Sequence, residues 1–267
     1  MLLRPKLSTV CRTIGLSCLI FLFGCASNND LTSGWTVQKL YQEAKDEMSA
    51  GAYDKAIGYY EKLEGRAAGT PLAQQAQLDK AWAQYKTNEP IQAIATLDRF
   101  IKLHPASPAL DYALYLKGLV NFNDTLGLFS SLAKQDLAER DPKQAKESFE
   151  AFRELVGRFP ESKYAPDAKL RMAYIRNSLA RSDLYVAQYY FKKGAYVAAI
   201  NRAQAAIDEY REVPAVEEAL FILHESYDRL GLNQLRDDTR RILEKNYPDS
   251  ALLNPQNATK RSRWKLW

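Results

Sequence analysis

The spacing of the prolines is the feature of this sequence that most constrains its fold. Pro71 and Pro105 are 34 residues apart, and so are Pro214 and Pro248. Between them, apolar residues recur at three- and four-residue spacings, which are typical of amphipathic helices, and no segment alternates like a strand. A period of 34 residues is that of tetratricopeptide repeats, pairs of helices that bury a continuous core by stacking. The sequence therefore predicts an all-α solenoid.

Short segments that could join the helices also repeat along the chain. Gly51 and Gly194 are each followed by Ala-Tyr and, a few residues later, by Ala-Ile. Glycine permits a tight turn, and alanine lets two helices approach closely. Proline disfavours helix in the residue before it, so three related segments are predicted to end one helix and start the next. These segments are His104-Pro105-Ala106-Ser107, Phe159-Pro160-Glu161-Ser162 and Tyr247-Pro248-Asp249-Ser250.

These signals predict five tetratricopeptide-like helix pairs. An insertion, Asn123–Arg140, interrupts the third pair, and the first helix of the fourth pair is about eight turns long. The insertion is either a partner-binding flap or a small helix folded back on the solenoid. The predicted helices span 36–49 with 53–64, 72–87 with 90–103, 108–122 with 142–157, 166–193 with 196–211, and 214–230 with 233–246.

The first residues have the layout of a secretory signal peptide. Arg4, Lys6 and Arg12 precede an apolar run over 14–23 that is too short to span a bilayer stably. The run ends in Leu-Phe-Gly before Cys25 and resembles a bacterial lipobox, which implies cleavage before Cys25 and acylation of that residue. The second residue of the processed chain would be Ala26 rather than Asp, which favours the periplasmic face of the outer membrane. An ordinary cleaved signal with an incidental cysteine is the alternative.

The predicted organisation is a signal peptide over 1–24, a lipidated linker over 25–35, a repeat domain over 36–248 and a disordered basic tail over 249–267. The formal net charge is +5. Removing the three basic residues of the signal peptide and the four within 260–267 leaves −2 for residues 25–259. The folded part is therefore close to neutral, and we predict no nucleic-acid partner.

Residues that could carry chemistry are few. His104 and His224 are isolated in the sequence, and Cys25 is the single cysteine left after signal cleavage. Neither a Gly-rich phosphate loop nor a metalloprotease or hydrolase motif is present. We predict no enzyme activity, no metal site and no cofactor. A carboxylate pair of the kind that glycosidases use stays open, although no spacing points to one.

The first helices of stacked pairs line the concave groove of such a solenoid. The 34-residue pattern places seven candidate groove residues there. Aromatic walls with amides and a few lysines suit an extended peptide that presents aromatic side chains or a free carboxylate. For any one of these residues, packing in the core is the alternative to lining the groove. They are Tyr41, Lys45, Gln75, Trp82, Tyr85, Lys86 and Tyr112.

A second candidate contact is Arg202, on the second helix of the fourth pair. Its helix carries an apolar face rich in alanine, so we expect the guanidinium to be partly enclosed. An enclosed arginine suits a charge-assisted contact with an acidic partner. A surface arginine without a role is the alternative on physical grounds.

Several segments in the second, third and fourth predicted pairs resemble the BamD (ComL) family of lipoproteins. This family serves the machinery that assembles β-barrels in the outer membrane. The segments are Gln74–Lys86, Arg99–Leu103, Asp111–Leu119, Arg140–Pro142 and Gly194–Arg202.

The resemblance implies a non-enzymatic scaffold at the periplasmic face of the outer membrane. It implies that the amino-terminal repeats receive the carboxy-terminal signal of an unfolded barrel protein. The carboxy-terminal repeats would bind the last periplasmic domain of BamA, with Asn201 and Arg202 at the contact, beside other Bam lipoproteins. The alternatives are a repeat lipoprotein that coordinates cell-division or peptidoglycan enzymes, and a helical cell-wall lyase.

Overall fold

The computed structural model describes residues 31–122 and 142–253, and these residues form helices and turns without any strand. The all-α prediction is confirmed. Ten helices follow one another in the order expected for five pairs. They are α1 Val37–Ser49, α2 Tyr53–Arg66, α3 Pro71–Lys86, α4 Pro90–Leu103, α5 Leu110–Phe122, α6 Pro142–Arg158, α7 Ala165–Lys192, α8 Tyr196–Glu209, α9 Ala215–Arg229 and α10 Asn233–Asn246.

Most predicted boundaries agree with these helices to within one or two residues. The prediction that the fifth helix begins at residue 108 is wrong by two residues, because Ser107–Leu110 form a turn in which Leu110 N donates to Ser107 O at 3.1 Å. The third helix begins at Pro71 rather than residue 72. Thr70 caps it, accepting a hydrogen bond from Ala73 N at 3.2 Å, and proline is well suited to the first helical position. The signal peptide, the insertion and most of the predicted tail lie outside the described residues.

Left-handed residues mark the turn inside four of the pairs. Gly51, Asn88, Gly194 and Gly231 have φ of 77°, 61°, 74° and 70°. Each stands two residues before the first residue of the second helix of its pair. Glycine adopts this conformation without the steric cost of a Cβ atom, and asparagine tolerates it better than most residues. The predicted role of Gly51 and Gly194 in tight turns is confirmed.

The three proline segments form one repeated turn. Ser107 N donates to His104 O at 3.0 Å, Ser162 N to Phe159 O at 3.0 Å, and Ser250 N to Tyr247 O at 2.9 Å. Two of these serine hydroxyls also donate to the first helix of the pair that is ending, Ser107 to Gln74 Oε1 at 3.2 Å and Ser162 to Asp111 Oδ2 at 2.6 Å. The segments at Pro105 and Pro160 therefore end one helix and lead into the next, as predicted, and the segment at Pro248 follows the last described helix.

Packing between the helices of the third pair depends on a glycine. A Cβ atom at Gly118 of α5 would lie 2.3 Å from Cε1 of Phe152 on α6. Phe152 is fully buried, and the neighbouring Ser148 donates a hydrogen bond to Gly118 O at 2.8 Å. The two helices approach this closely only because residue 118 has no side chain.

Consecutive helices contact each other along the chain. The first helices of neighbouring pairs also meet, α3 with α5 and α7 with α9. This arrangement places first helices side by side along one surface, which is where the sequence predicted the groove.

Candidate peptide-binding groove

A carboxylate that the sequence analysis did not single out joins the first two helix pairs. Tyr41 Oη on α1 donates to Asp79 Oδ2 on α3 at 3.2 Å. Gln75, one turn before Asp79 on α3, donates from Nε2 to Oδ1 at 2.8 Å. Two of the predicted groove residues are thus brought together around Asp79. The four-residue spacing from Gln75, which puts both on one helix face, was the available signal.

Burial raises the pKa of the Asp79 carboxyl, while hydrogen bonds from Gln75 and Tyr41 and the charge of Lys45 act in the opposite direction. Burial, followed by the nearby Asp79 charge, raises the pKa of Tyr41 to about 12. The same two causes, in the same order, raise the pKa of Tyr112 to about 12. These phenols are therefore protonated at neutral pH, and Tyr41 uses its hydroxyl proton to donate to Asp79.

Lys45 lies beside this cluster. Its ammonium nitrogen is 5.7 Å from the centre of the Tyr41 ring, and its charge favours the ionised form of Asp79. The lysine predicted to receive a free carboxylate therefore stands next to a carboxylate of the protein itself.

A cavity of about 760 Å³ opens between α3, α5 and the turn that connects α6 to α7. Tyr112 and Tyr164 form part of its wall, with ring centroids 5.5 Å apart. Its acidic lining residues are Asp79, Asp111 and Glu161, against Lys163 as the basic one. This charge balance disfavours a ligand carboxylate here and favours the other predicted ligand feature, an aromatic side chain.

The ring system continues onto the third and fourth pairs. Tyr115 stacks on Tyr164 with centroids 4.7 Å apart and planes inclined by 18°. Its hydroxyl donates to Asp167 Oδ2 at 2.7 Å, and Arg171 Nε donates to the same oxygen at 2.7 Å. Burial raises the pKa of Asp167, but these hydrogen bonds and the arginine charge outweigh it and hold the pKa below its usual value. Tyr115, Tyr164 and Asp167 are further residues that the sequence analysis missed.

We call the surface formed by the residues of these contacts the aromatic groove. It combines half-buried rings with hydrogen-bonding groups whose partners lie on neighbouring helices. Its members are Tyr41, Gln75, Asp79, Tyr112, Tyr115, Tyr164 and Asp167.

Trp82 and Tyr85, in the last turns of α3, form a separate ring pair with centroids 5.5 Å apart. Both are half-buried and pack against the apolar cluster that contains Leu78 and Leu97. Lys86 is exposed, with its ammonium nitrogen 5.8 Å from the Trp82 ring centre. Each ring therefore has a part that packs in the core and an accessible part, and a role of Trp82 and Tyr85 in binding a peptide stays a prediction.

Asn201 and Arg202 lie on α8, apart from the first three pairs that carry most of the aromatic groove. Both are exposed, so the expectation that Arg202 is partly enclosed is wrong. The buried residues of α8 are Ala199, Ala203 and Ala206, whose small side chains bring the neighbouring helices close and leave no room for a guanidinium. The charge of Arg202 nevertheless reaches Asp183 on α7, where it works against the rise in pKa that burial causes.

The family model described as YfiO, outer membrane lipoprotein, matches residues 35–242, which include nearly all of the helices described above. The chain belongs to this family. A relative from Neisseria meningitidis serogroup B, named outer membrane protein assembly factor BamD, is 47% identical over 89% of this chain and 89% of its own length. The BamD proteins of Neisseria gonorrhoeae and Vibrio cholerae are 45% and 34% identical, over 94% and 87% of this chain and 94% and 96% of their own lengths. The predicted resemblance is confirmed.

Among solved structures, a crystal structure of MamA protein covers 86% of this chain and 96% of its own, with 17% identity and a TM-score of 0.34. As a member of an outer membrane lipoprotein family, the chain is associated with the outer membrane. Cys25, the predicted site of acylation, lies outside the described residues.

Two further observations concern the described part of this YfiO family chain. None of its helices combines the length and apolar character needed to cross a bilayer. Within residues 31–122 and 142–253, no group of three or more His, Cys, Asp or Glu side chains is arranged to hold a metal ion.

Proposed function

We propose that this protein is a lipid-anchored, non-enzymatic scaffold of the machinery that assembles β-barrel proteins in the outer membrane. The observation that carries the proposal is the match, over more than four fifths of the chain, to relatives named outer membrane protein assembly factor BamD. Acylation of Cys25 would hold the repeats at the periplasmic face. Tethering there would raise their effective concentration near membrane-bound partners.

The aromatic groove is proposed to receive extended segments of unfolded barrel precursors. An extended chain exposes backbone carbonyls and alternates its side chains between two sides. The protonated hydroxyl of Tyr112 is a donor that a backbone carbonyl can accept from, whereas the hydroxyls of Tyr41 and Tyr115 donate to Asp79 and Asp167 and hold the groove in shape. The Tyr112–Tyr164 wall offers apolar area against which an aromatic side chain can pack. Binding of this kind would keep such side chains out of water before insertion.

The carboxy-terminal pairs are proposed to bind the periplasmic part of BamA. Asn201 and Arg202 are exposed on α8 and are not needed for the alanine contacts that hold this helix in place. A guanidinium in this position can form a paired hydrogen bond with a partner carboxylate. Other Bam lipoproteins are further proposed partners. The family match disfavours the alternative role in cell division or peptidoglycan metabolism.

Affinity purification from solubilised outer membranes tests the proposal. We expect a tagged, full-length chain to recover a large β-barrel protein with periplasmic domains. Recovery of peptidoglycan or division enzymes in its place would contradict the scaffold role. Cys25→Ala tests the anchor separately. After detergent extraction and reconstitution with lipid alone, without its protein partners, we expect the wild-type chain to stay with the membrane fraction and the variant to leave it.

A further inference from the structure

The amino-terminal end of the solenoid carries a group of apolar and basic side chains that the aromatic groove does not include. Leu31 is 87% exposed, while Trp35 and Tyr59 are half-buried and pack partly against the core of the first pair. Trp35 and Tyr59 lie beside each other with ring centroids 5.7 Å apart, and Lys39 Nζ is 4.5 Å from the Trp35 ring centre. We call these four residues the amino-terminal patch.

The segment that carries this patch is held firmly against α2. Arg66 donates hydrogen bonds to Thr32 O at 2.7 Å, to Trp35 O at 3.2 Å and to Thr32 Oγ1 at 3.2 Å. Thr32 is buried, and Thr36 caps α1 by accepting from Lys39 N at 3.2 Å. The direction in which the chain enters the solenoid is therefore fixed relative to the first helix pair.

The covalent distance from the proposed anchor to this patch is short. Leu31 is six positions after Cys25, and six positions of fully extended chain span about 20 Å. This step rests on the proposed acylation of Cys25. With Cys25 in the bilayer surface, the amino-terminal patch cannot leave the neighbourhood of the lipid headgroups.

The chemistry of the patch matches that neighbourhood. Tryptophan and tyrosine are enriched where membrane and water meet, because their rings are apolar and their polar atoms can stay hydrated. Lysine near a membrane surface is attracted to anionic headgroups. Lys39 is the first charged residue of α1, and the first turn of that helix contains no acidic side chain. Charge and apolar area thus favour the same occupant.

We propose that the amino-terminal patch docks on the headgroup surface of the membrane, with Leu31 and Trp35 at the boundary between headgroups and acyl chains. Lys39 then faces anionic headgroups. This second contact, in addition to the acyl chains, would stop the solenoid from rotating freely about its tether and would orient its first helix pair.

Spin labelling of the acylated, full-length chain tests the docking. The processed chain has Cys25 as its natural cysteine, and acylation blocks it, so Leu31→Cys supplies the one reactive thiol. Ile91→Cys, at an apolar residue of α4 that is 80% exposed, is the matched control. In vesicles of phosphatidylethanolamine and phosphatidylglycerol, we expect the label at residue 31 to show a several-fold higher ratio of oxygen to nickel-chelate accessibility than the label at residue 91.

The outcomes separate the docking from the anchor on which it rests. Equal accessibility at residues 31 and 91, in protein that floats with the vesicles, would overturn the docking and leave the acyl anchor standing. Protein that does not float would overturn both. If the label at residue 31 became immobile only when solubilised outer-membrane proteins were added, the patch would bind a protein partner, and the proposal would be contradicted. Lys39→Glu should lower the residue 31 ratio, whereas Lys102→Glu on α4 should not.

Discussion

The hydroxyl of Tyr41 donates a hydrogen bond to Asp79 across the boundary between the first and second helix pairs. The two residues are 38 positions apart in sequence and lie on the first helices of successive pairs. The contact therefore connects one repeat to the next on the groove side, where an incoming segment would meet both residues.

The first prediction concerns the energy of this contact. We expect Tyr41→Phe and Asp79→Asn to show a coupling of about 1 kcal/mol in a double-mutant cycle, because each substitution removes or weakens the same hydrogen bond. The free energies of unfolding are measured by urea denaturation of the single and double variants. Additive effects would mean that the bond contributes nothing measurable.

The second prediction is a loss of stability in alkaline solution. In the folded state the pKa values of Tyr41, Tyr112 and Tyr115 are about 12, against an ordinary value of 10.0. Folding therefore favours the protonated phenols, so their stabilising contribution is complete below pH 10 and is lost as pH rises towards 12. Thermal unfolding between pH 9 and pH 12 measures how steeply the stability falls as the pH rises. Tyr41→Phe should make this decline shallower, and an unchanged decline would contradict the prediction.

The third prediction concerns the close approach of α5 and α6. Gly118→Ala should destabilise the fold by about 1–3 kcal/mol, because its Cβ would overlap the buried Phe152 ring. Gly58→Ala in α2, where a Cβ meets nothing within 4 Å, should instead stabilise by about 0.5–1 kcal/mol. Chemical denaturation compares the two variants. A stabilising effect at both positions would contradict the packing described for the third pair.

The fourth prediction concerns partner binding by α8. Arg202→Glu should strongly reduce recovery of the β-barrel partner while helical content, measured by far-ultraviolet circular dichroism, is retained. Arg153→Glu on α6 is the control, since Arg153 is also an exposed arginine of a second helix. If both variants lost the partner equally, a general change of surface charge would explain the result better than a contact at Arg202.

The fifth prediction concerns what the aromatic groove recognises. A fluorescent extended peptide with aromatic side chains should bind the wild-type chain and bind Tyr112→Ala several-fold more weakly, while Tyr189→Ala binds normally. Amidation of the peptide's carboxy terminus should change the affinity little, because Asp79, Asp111 and Glu161 line the same cavity. A large loss of affinity on amidation would instead indicate that the groove recognises the free carboxylate.

The architecture was predictable because its determinants are local and repeated. Helical periodicity, the proline segments and the glycine turns each recur, so one error of assignment is corrected by the other copies. Asp79 has only the four-residue spacing from Gln75 as support. An aspartate with such a neighbour is still compatible with a solvated helix surface, and its contact with Tyr41 on another helix becomes visible only in the fold.

Arg202 shows a second limit of sequence reasoning. Its small neighbours predict an enclosed guanidinium. In the fold, however, they allow close helix contact and leave the long side chain exposed to solvent. The identity of neighbouring residues predicted which face is packed. It did not predict how far from that face a flexible side chain extends.

The four left-handed turn residues have a consequence for the molecule as a whole. In a solenoid whose helix pairs contact mainly their neighbours, a rotation at one turn displaces every pair that follows it. A few degrees of change at Asn88 or Gly194 would hardly alter the local packing, yet it would swing Arg202 through an arc relative to Tyr41. The distance between Tyr41 and Arg202 is thus determined by these turns as much as by the length of the helices.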